Sequence, residues 1–192
     1  MSIITIGVIA AGVLILAVLY GMYVGIIKKR NNAREAMSGI DVQLRKRYDL
    51  IPNILAIAAK FMEHEKGLMT EITELRTAAA SIRTDADTIS KKIELDNAIT
   101  SKMHQLMVSV ENYPQLKSDQ TMIQAMQTYS EVEEHIAAAR RFYNSAVKDL
   151  NNAVEIFPSS LVAALIGVRS CPFFETDETA RQPISASDYF NK

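Results

Sequence analysis

The chain opens with twenty-five consecutive uncharged residues, Ile3 to Ile27, followed at once by Lys28, Lys29 and Arg30. As a helix, such a run spans roughly 37 Å, more than the ~30 Å of a bilayer's hydrocarbon core. The first element therefore reads as a membrane-spanning anchor, and everything after it lies on one side of that membrane. A signal peptide would carry its basic residues before a shorter apolar stretch and a small-residue cleavage site after it. Here the basic cluster follows the run. Positive charge on the carboxyl side of a lone span marks that side as cytoplasmic, with the amino terminus outside.

The ~165 residues that remain suffice for one domain with its own core. Only seven Gly and five Pro interrupt the 192 residues, and stretches rich in Ala, Leu, Ile, Glu, Lys, Gln and Met favour helix. The expected class is all-α: the transmembrane helix, then long helices at about 30–48, 53–82, 87–112 and 119–157, and a short apolar helix near 160–167. Expected units are an anchor at 1–27, a helical bundle at 28–174 and a mobile tail at 175–192. Pro52 interrupts the first helix, because it lacks an amide donor and disfavours α geometry at Ile51. Either a kink or a reversal is open there. Ile54, Ile57, Phe61, Leu68, Ile72, Leu75 and Ile82 then form an apolar face, with Gly67 the weak point.

Thr84 to Asp87 offer capping oxygens for a helix whose face reads Ile89, Ile93, Ile99, Met103, Leu106 and Val110, ended by Tyr113-Pro114. Ser118, followed by Asp119, is the expected cap of the last long helix. There Met122, Ala125, Tyr129, Val132, Ile136, Ala139, Tyr143, Ala146, Leu150, Ala153 and Phe157 alternate steps of three and four. So regular a seam belongs against a partner helix in a bundle. Leu161 to Ile166 are too few to cross a bilayer, and either cap the bundle or lie against the membrane or a neighbouring subunit.

Charge is unevenly distributed. Residues 28–47 hold seven basic and two acidic side chains, leaving 14 basic and 20 acidic beyond. The basic collar Lys28, Lys29, Arg30 and Arg34 suits anionic lipid headgroups, whereas the acidic body is ill-suited to nucleic acid. For Arg45 to Arg47, intramolecular ion pairing and lipid contact are both open.

Chemistry needs converging donors, and these are scarce. His64-Glu65 opens like a zinc-protease helix, but the second His that the motif requires is replaced by Leu68. A di-metal bundle centre needs Glu-x-x-His, whereas Glu131 and His135 stand four apart. The single Cys171 cannot form an intrachain disulfide, in keeping with a reducing compartment, and no His lies near it in sequence. No glycine-rich phosphate loop occurs. The chain thus reads as a non-enzyme that uses no cofactor or metal. In the anchor, Ala17, Gly21 and Gly25 recur every four residues, a small-residue stripe that lets membrane helices pack closely and favours a homo-oligomer. Tyr20 and Tyr23 read as interfacial anchors.

The segment Ile40 to Asn53, IDVQLRKRYDLIPN, resembles the signature of the LemA family. His64-Glu65, the ENYPQLK of Glu111 to Lys117, Glu133 to Asn144 ending ARRFYN, Phe157-Pro158 and Gly167 to Phe174 resemble later family motifs in order. Tyr48 departs from the pattern in taking a place often held by His. The resemblance implies a single-pass protein of a bacterial inner membrane with an antiparallel four-helix bundle in the cytoplasm, and no established catalysis. Some members of the family are associated with a membrane zinc protease of the HtpX type, and a magnetosome branch with membrane-organelle formation, but neither role carries over to this chain residue by residue. Within the motifs, Asp41, Arg45, Tyr48 and Asp49 on the first helix and Glu133, Arg140, Asn144 and Asn151 on the last can pair. Such groups either fix helix register at the core edge or present a docking surface. The leading expectation is a membrane-anchored scaffold that self-associates or recruits partners; the alternative is a signal-sensing or protease-adaptor bundle.

Overall fold

The computed structural model describes residues 3–82 and 88–174. The tail expected at 175–192 and the cap expected at Thr84 to Asp87 lie outside the described residues. Among the described residues six helices follow one another: α1 (Ile3–Ala58), α2 (Lys66–Ser81), α3 (Ile89–Val110), α4 (Pro114–Lys117), α5 (Gln120–Glu155) and α6 (Ser159–Leu165), with a 3-10 turn at Glu63–Glu65 before α2. The anchor is not a separate element. Every side chain from Ile3 to Tyr20 is exposed, and the same helix continues as one wall of the bundle, where burial begins at Ile26.

Helices α1, α2, α3 and α5 run up, down, up and down, an antiparallel four-helix bundle. The alternation is fixed by cross-links at successive levels. Met22 and Gly25 lie beside Asn152 and Ile156 near the anchor end, whereas Arg47 meets Glu133 further along. Lys102 of α3 pairs with Glu71 of α2 at 2.6 Å. The most extensive packing is of α1 against α5, and α2 packs chiefly on α3. The core is a set of heptad seams, with burial at Ile40, Leu44, Ile51, Ile54 and Ala58 on α1 and at Met122, Tyr129, Val132, Ile136, Tyr143, Val147, Leu150 and Ala153 on α5. Small and bulky side chains alternate along both, which lets the two helices approach closely.

Pro52 does not break the chain: α1 passes through it and ends six residues later, at Ala58. Proline forfeits the amide that would bond the carbonyl four residues back. That carbonyl, on Tyr48, accepts instead from Arg76 Nε of α2 at 2.7 Å. A side chain from the neighbouring helix supplies the donor the backbone lacks. The true break is the tight turn at Ala59 to Met62, where the Lys60 and Phe61 amides bond the third residue back and the fully buried Met62 plugs the far end of the core.

The later boundaries differ less. Asp119, not Ser118, caps α5, its Oδ1 accepting from the Met122 amide at 2.9 Å, while the Ser118 hydroxyl turns back to the Pro114 carbonyl. Helix α5 ends at Glu155, so Phe157 falls beyond the seam and is exposed. Helix α6 has two faces: Val162 and Ala163 close the bundle's anchor end, and Leu161 and Leu165 point outward. After Gly167, whose φ of +68° suits a residue without a Cβ, the chain extends along α5 to Phe174.

Candidate functional site

The centre of the bundle holds ions where the seams would ordinarily carry apolar residues. On α3 the buried face is Ile89, Lys92, Asp96, Ile99, Met103, Leu106 and Val110, an unbroken alternation of three and four in which two members are charged. On α1 the seam position after Leu44 is Arg47, which is 0% exposed. Arg47 Nη2 donates to Asp96, also 0% exposed, and Nη1 donates to Thr100 Oγ1 and Glu133 Oε1, both at 2.9 Å. Arg140 of α5 donates to the other Asp96 oxygen and lays its guanidinium over the Phe174 ring, 4.5 Å from the centroid. One aspartate thus joins two arginines from two helices, and Glu133 balances the second positive charge. The cluster ties the α1–α5 pair to the α2–α3 hairpin.

Its centre is buried, with the Arg47 and Asp96 side chains closed off from solvent and Glu133 at the edge. Burial first, and the nearby Arg47 charge second, lower Arg140 from an ordinary 12.5 to about 10. Tyr129 lies against Arg47 and Glu133, and burial pushes its hydroxyl well above the ordinary 10.0; Tyr48 is raised for the same reason. A second link lies nearer the anchor, where Asp41 accepts from Lys92 of α3 and, at 3.1 Å, from Arg45 one turn along α1.

A third group of polar contacts holds the extended segment. Asn151 Nδ2 donates to the Cys171 carbonyl while its Oδ1 accepts the Cys171 amide, each at 2.9 Å. Asn144 grips Phe174 in the same two-point manner at 3.0 and 2.7 Å, and the Tyr143 hydroxyl donates to the Pro172 carbonyl. The spacing explains the match: seven helical residues rise ~10.5 Å and three extended residues span ~10 Å. The two asparagines serve as a short artificial strand edge.

The sequence-derived residues divide accordingly. Glu133 and Arg140 enter the central cluster; Asp41 and Arg45 form the second link; Asn144 and Asn151 hold the segment; Asp49 is exposed outside all three. Tyr48 contributes its carbonyl to Arg76, and its hydroxyl is buried. Ala17 and Gly21 lie bare on the anchor, whereas Gly25 borders a small hollow formed with Asn152 and Ala153 of its own chain. Lys28 is exposed, Lys29 lies beside that hollow, and Arg30 and Arg34 rim a larger cleft. Sequence reasoning missed Asp96 and Lys92 and left Arg47 between ion pairing and lipid contact, of which the structure shows ion pairing. Running the heptad back from Met103 and Ile99 lands on Asp96 and Lys92, and this was the available signal.

The family model of the LemA family matches residues 36–187, which include both arginines and the aspartate of the cluster. The chain belongs to the LemA family. Among similar proteins, the LemA protein of Metamycoplasma hominis is 24% identical over 183 residues, covering 93% of this chain and 82% of its own length. Two magnetosome proteins of Paramagnetospirillum magneticum, MamQ 1 and MamQ 2, are each 27% identical over 97 residues, half of this LemA-family chain and 36% of theirs. Membership and the bare apolar helix together make this a membrane-associated helical protein.

Proposed function

We propose that this LemA-family chain is a non-enzymatic scaffold of the bacterial inner membrane, with its bundle on the cytoplasmic side, which self-associates and presents that bundle to partners. The observation that carries the reading is the continuity of α1 from the bare span to the far end of the bundle. Anything that fixes the spans relative to one another also fixes the bundles. Ala17 and Gly21, exposed above the bundle, supply the close-packing surface for such association. Ile156, Phe157, Leu161 and Leu165 are exposed at the anchor end of α5 and α6, beside the last turns of the span, and suit contact with the membrane interface. The likeness to two magnetosome proteins over half the chain is in keeping with a role in membrane organisation.

The test is the assembly mass of the full chain in mild detergent, beside Gly21→Ile and beside a chain starting at Asn31. A large complex that shrinks with either change is the expected result. Monomers in every case would overturn the scaffold and move attention to an adaptor that captures a membrane protease.

A further inference from the structure

Between α1 and the segment that follows Gly167 lies an open cleft of about 910 Å³. That volume falls within the ~300–1,000 Å³ usual for small-ligand sites. Its rim is strongly basic: Arg30, Arg34 and Arg45 come from α1 and Arg169 from the segment. Among the described residues Asp41 is the one carboxylate lining it, and Asp41 is already engaged by Arg45 and Lys92. Among the described residues Arg30, Arg34 and Arg169 meet no carboxylate, and Arg30 Nε is buried without a hydrogen-bond partner. The floor is different in kind, with Ala33, Met37, Leu150 and Val168 presenting apolar surface.

Three arginines without a carboxylate above an apolar floor match a ligand with an anionic head and a hydrocarbon body. Guanidinium groups pair with phosphate oxygens through two parallel hydrogen bonds, and an acyl chain covers the floor. The location selects the source. Arg30 is three residues past the end of the uncharged run at Ile27, about one helical turn from the edge of the span. We propose that this cleft is a discrete binding site for one anionic phospholipid drawn from the adjacent leaflet, its phosphate held by Arg30, Arg34 and Arg169. The inference rests on the membrane-anchored reading and goes beyond it, since a diffuse basic collar would need neither the cleft nor Arg169. Cys171, the chain's single cysteine, lines the same cleft and provides a built-in reporter.

The full chain in mild detergent is mixed with phosphatidylglycerol or phosphatidylcholine, and bound lipid is counted by native mass spectrometry while Cys171 alkylation is timed. The expected result is one retained phosphatidylglycerol and slower alkylation, with phosphatidylcholine giving neither. Arg34→Glu with Arg169→Glu, both at exposed positions, should weaken retention at least tenfold without lowering the melting temperature. Lys28→Glu with Lys29→Glu, outside the cleft, should leave it unchanged. Equal loss in the two pairs, equal retention of both lipids, or equal protection of Cys171 by inorganic phosphate would each overturn the proposal. The alkylation readout uses the unmodified chain and holds if a variant misfolds. Assembly mass is read separately, so failure of lipid binding and failure of scaffolding are distinguishable.

Discussion

Removing the carboxylate of Asp96 isolates the central cluster. In the intact protein each of its oxygens accepts from a different arginine, and the side chain is wholly buried. After Asp96→Ala, Arg47 keeps Thr100 and Glu133, but Arg140 retains only the face of Phe174, and two guanidinium charges share one carboxylate that is 29% exposed. Breaking a buried pair from one side costs about 3–5 kcal/mol, because the remaining charge stays desolvated. At roughly 2–4 °C per kcal/mol for a domain of this size, the melting temperature should fall by ~6–20 °C. Asp96→Asn should cost nearly as much, since its amide turns a donor towards a guanidinium. Replacing Arg47, Asp96 and Arg140 together with Met, Leu and Met should recover most of the loss, because an apolar cluster has no charge to strand. The assay is urea unfolding of the full chain in mild detergent, followed by far-UV circular dichroism. A loss below about 1 kcal/mol for Asp96→Ala, the magnitude of an exposed pair, would refute the reasoning.

Arg76→Ala should destabilise by about 1–3 kcal/mol by orphaning the Tyr48 carbonyl, and by clearly less in a Pro52→Ala background, where the restored amide takes the bond; equal losses in a double-mutant cycle would sink the link between them. Tyr48, Tyr129 and Tyr143 all have hydroxyls raised above 10.0 by burial, so the stability they contribute is complete below pH 10 and falls as pH rises towards their folded values. A spectrophotometric titration should therefore find these three ionising only as the bundle unfolds, and free titration of every tyrosine near pH 10 in the folded protein would contradict the burial. Asn144→Ala with Asn151→Ala removes both two-point grips, and amide exchange at Cys171 and Phe174 should accelerate more than tenfold while exchange in α5 stays slow. Unchanged exchange at those two amides would mean that packing of Phe174, and not the asparagines, holds the segment.

Much of the architecture was legible because heptad spacing is a strong signal over long helices. Most of the seam of α5 from Met122 to Ala153 could be read from its spacing, although the fully buried Val147 stands beside the expected Ala146, and the helix ends at Glu155, two residues before the expected Phe157. Breakers were less trustworthy. Pro52 looked like a boundary, yet its missing bond is answered by an arginine 24 positions away in sequence, which no local rule detects. The real turn at Ala59 to Met62 contains neither Gly nor Pro and is set by where the core ends, at Met62. The central cluster was hidden by its own character. Charged residues at seam positions read as solvated surface, so Ile93 was placed on the α3 face where Asp96 and Lys92 belong. Asn144 and Asn151 were visible as polar positions beside the seam, but the extended segment they hold has no periodicity to announce it.

The unbroken passage of α1 from span to bundle makes the molecule a lever. From Ile27 to Ala58 the helix extends ~47 Å beyond the uncharged run. Spans tilt to match the local hydrocarbon thickness, on average by ~20°, and a change of 10° would sweep the far end of such an arm sideways by roughly 8 Å. A bilayer that thickens or thins by a few ångströms is thereby converted into a displacement several times larger at the opposite end of the bundle. At Pro52, where the intrahelical bond is missing, Arg76 ties this arm to α2.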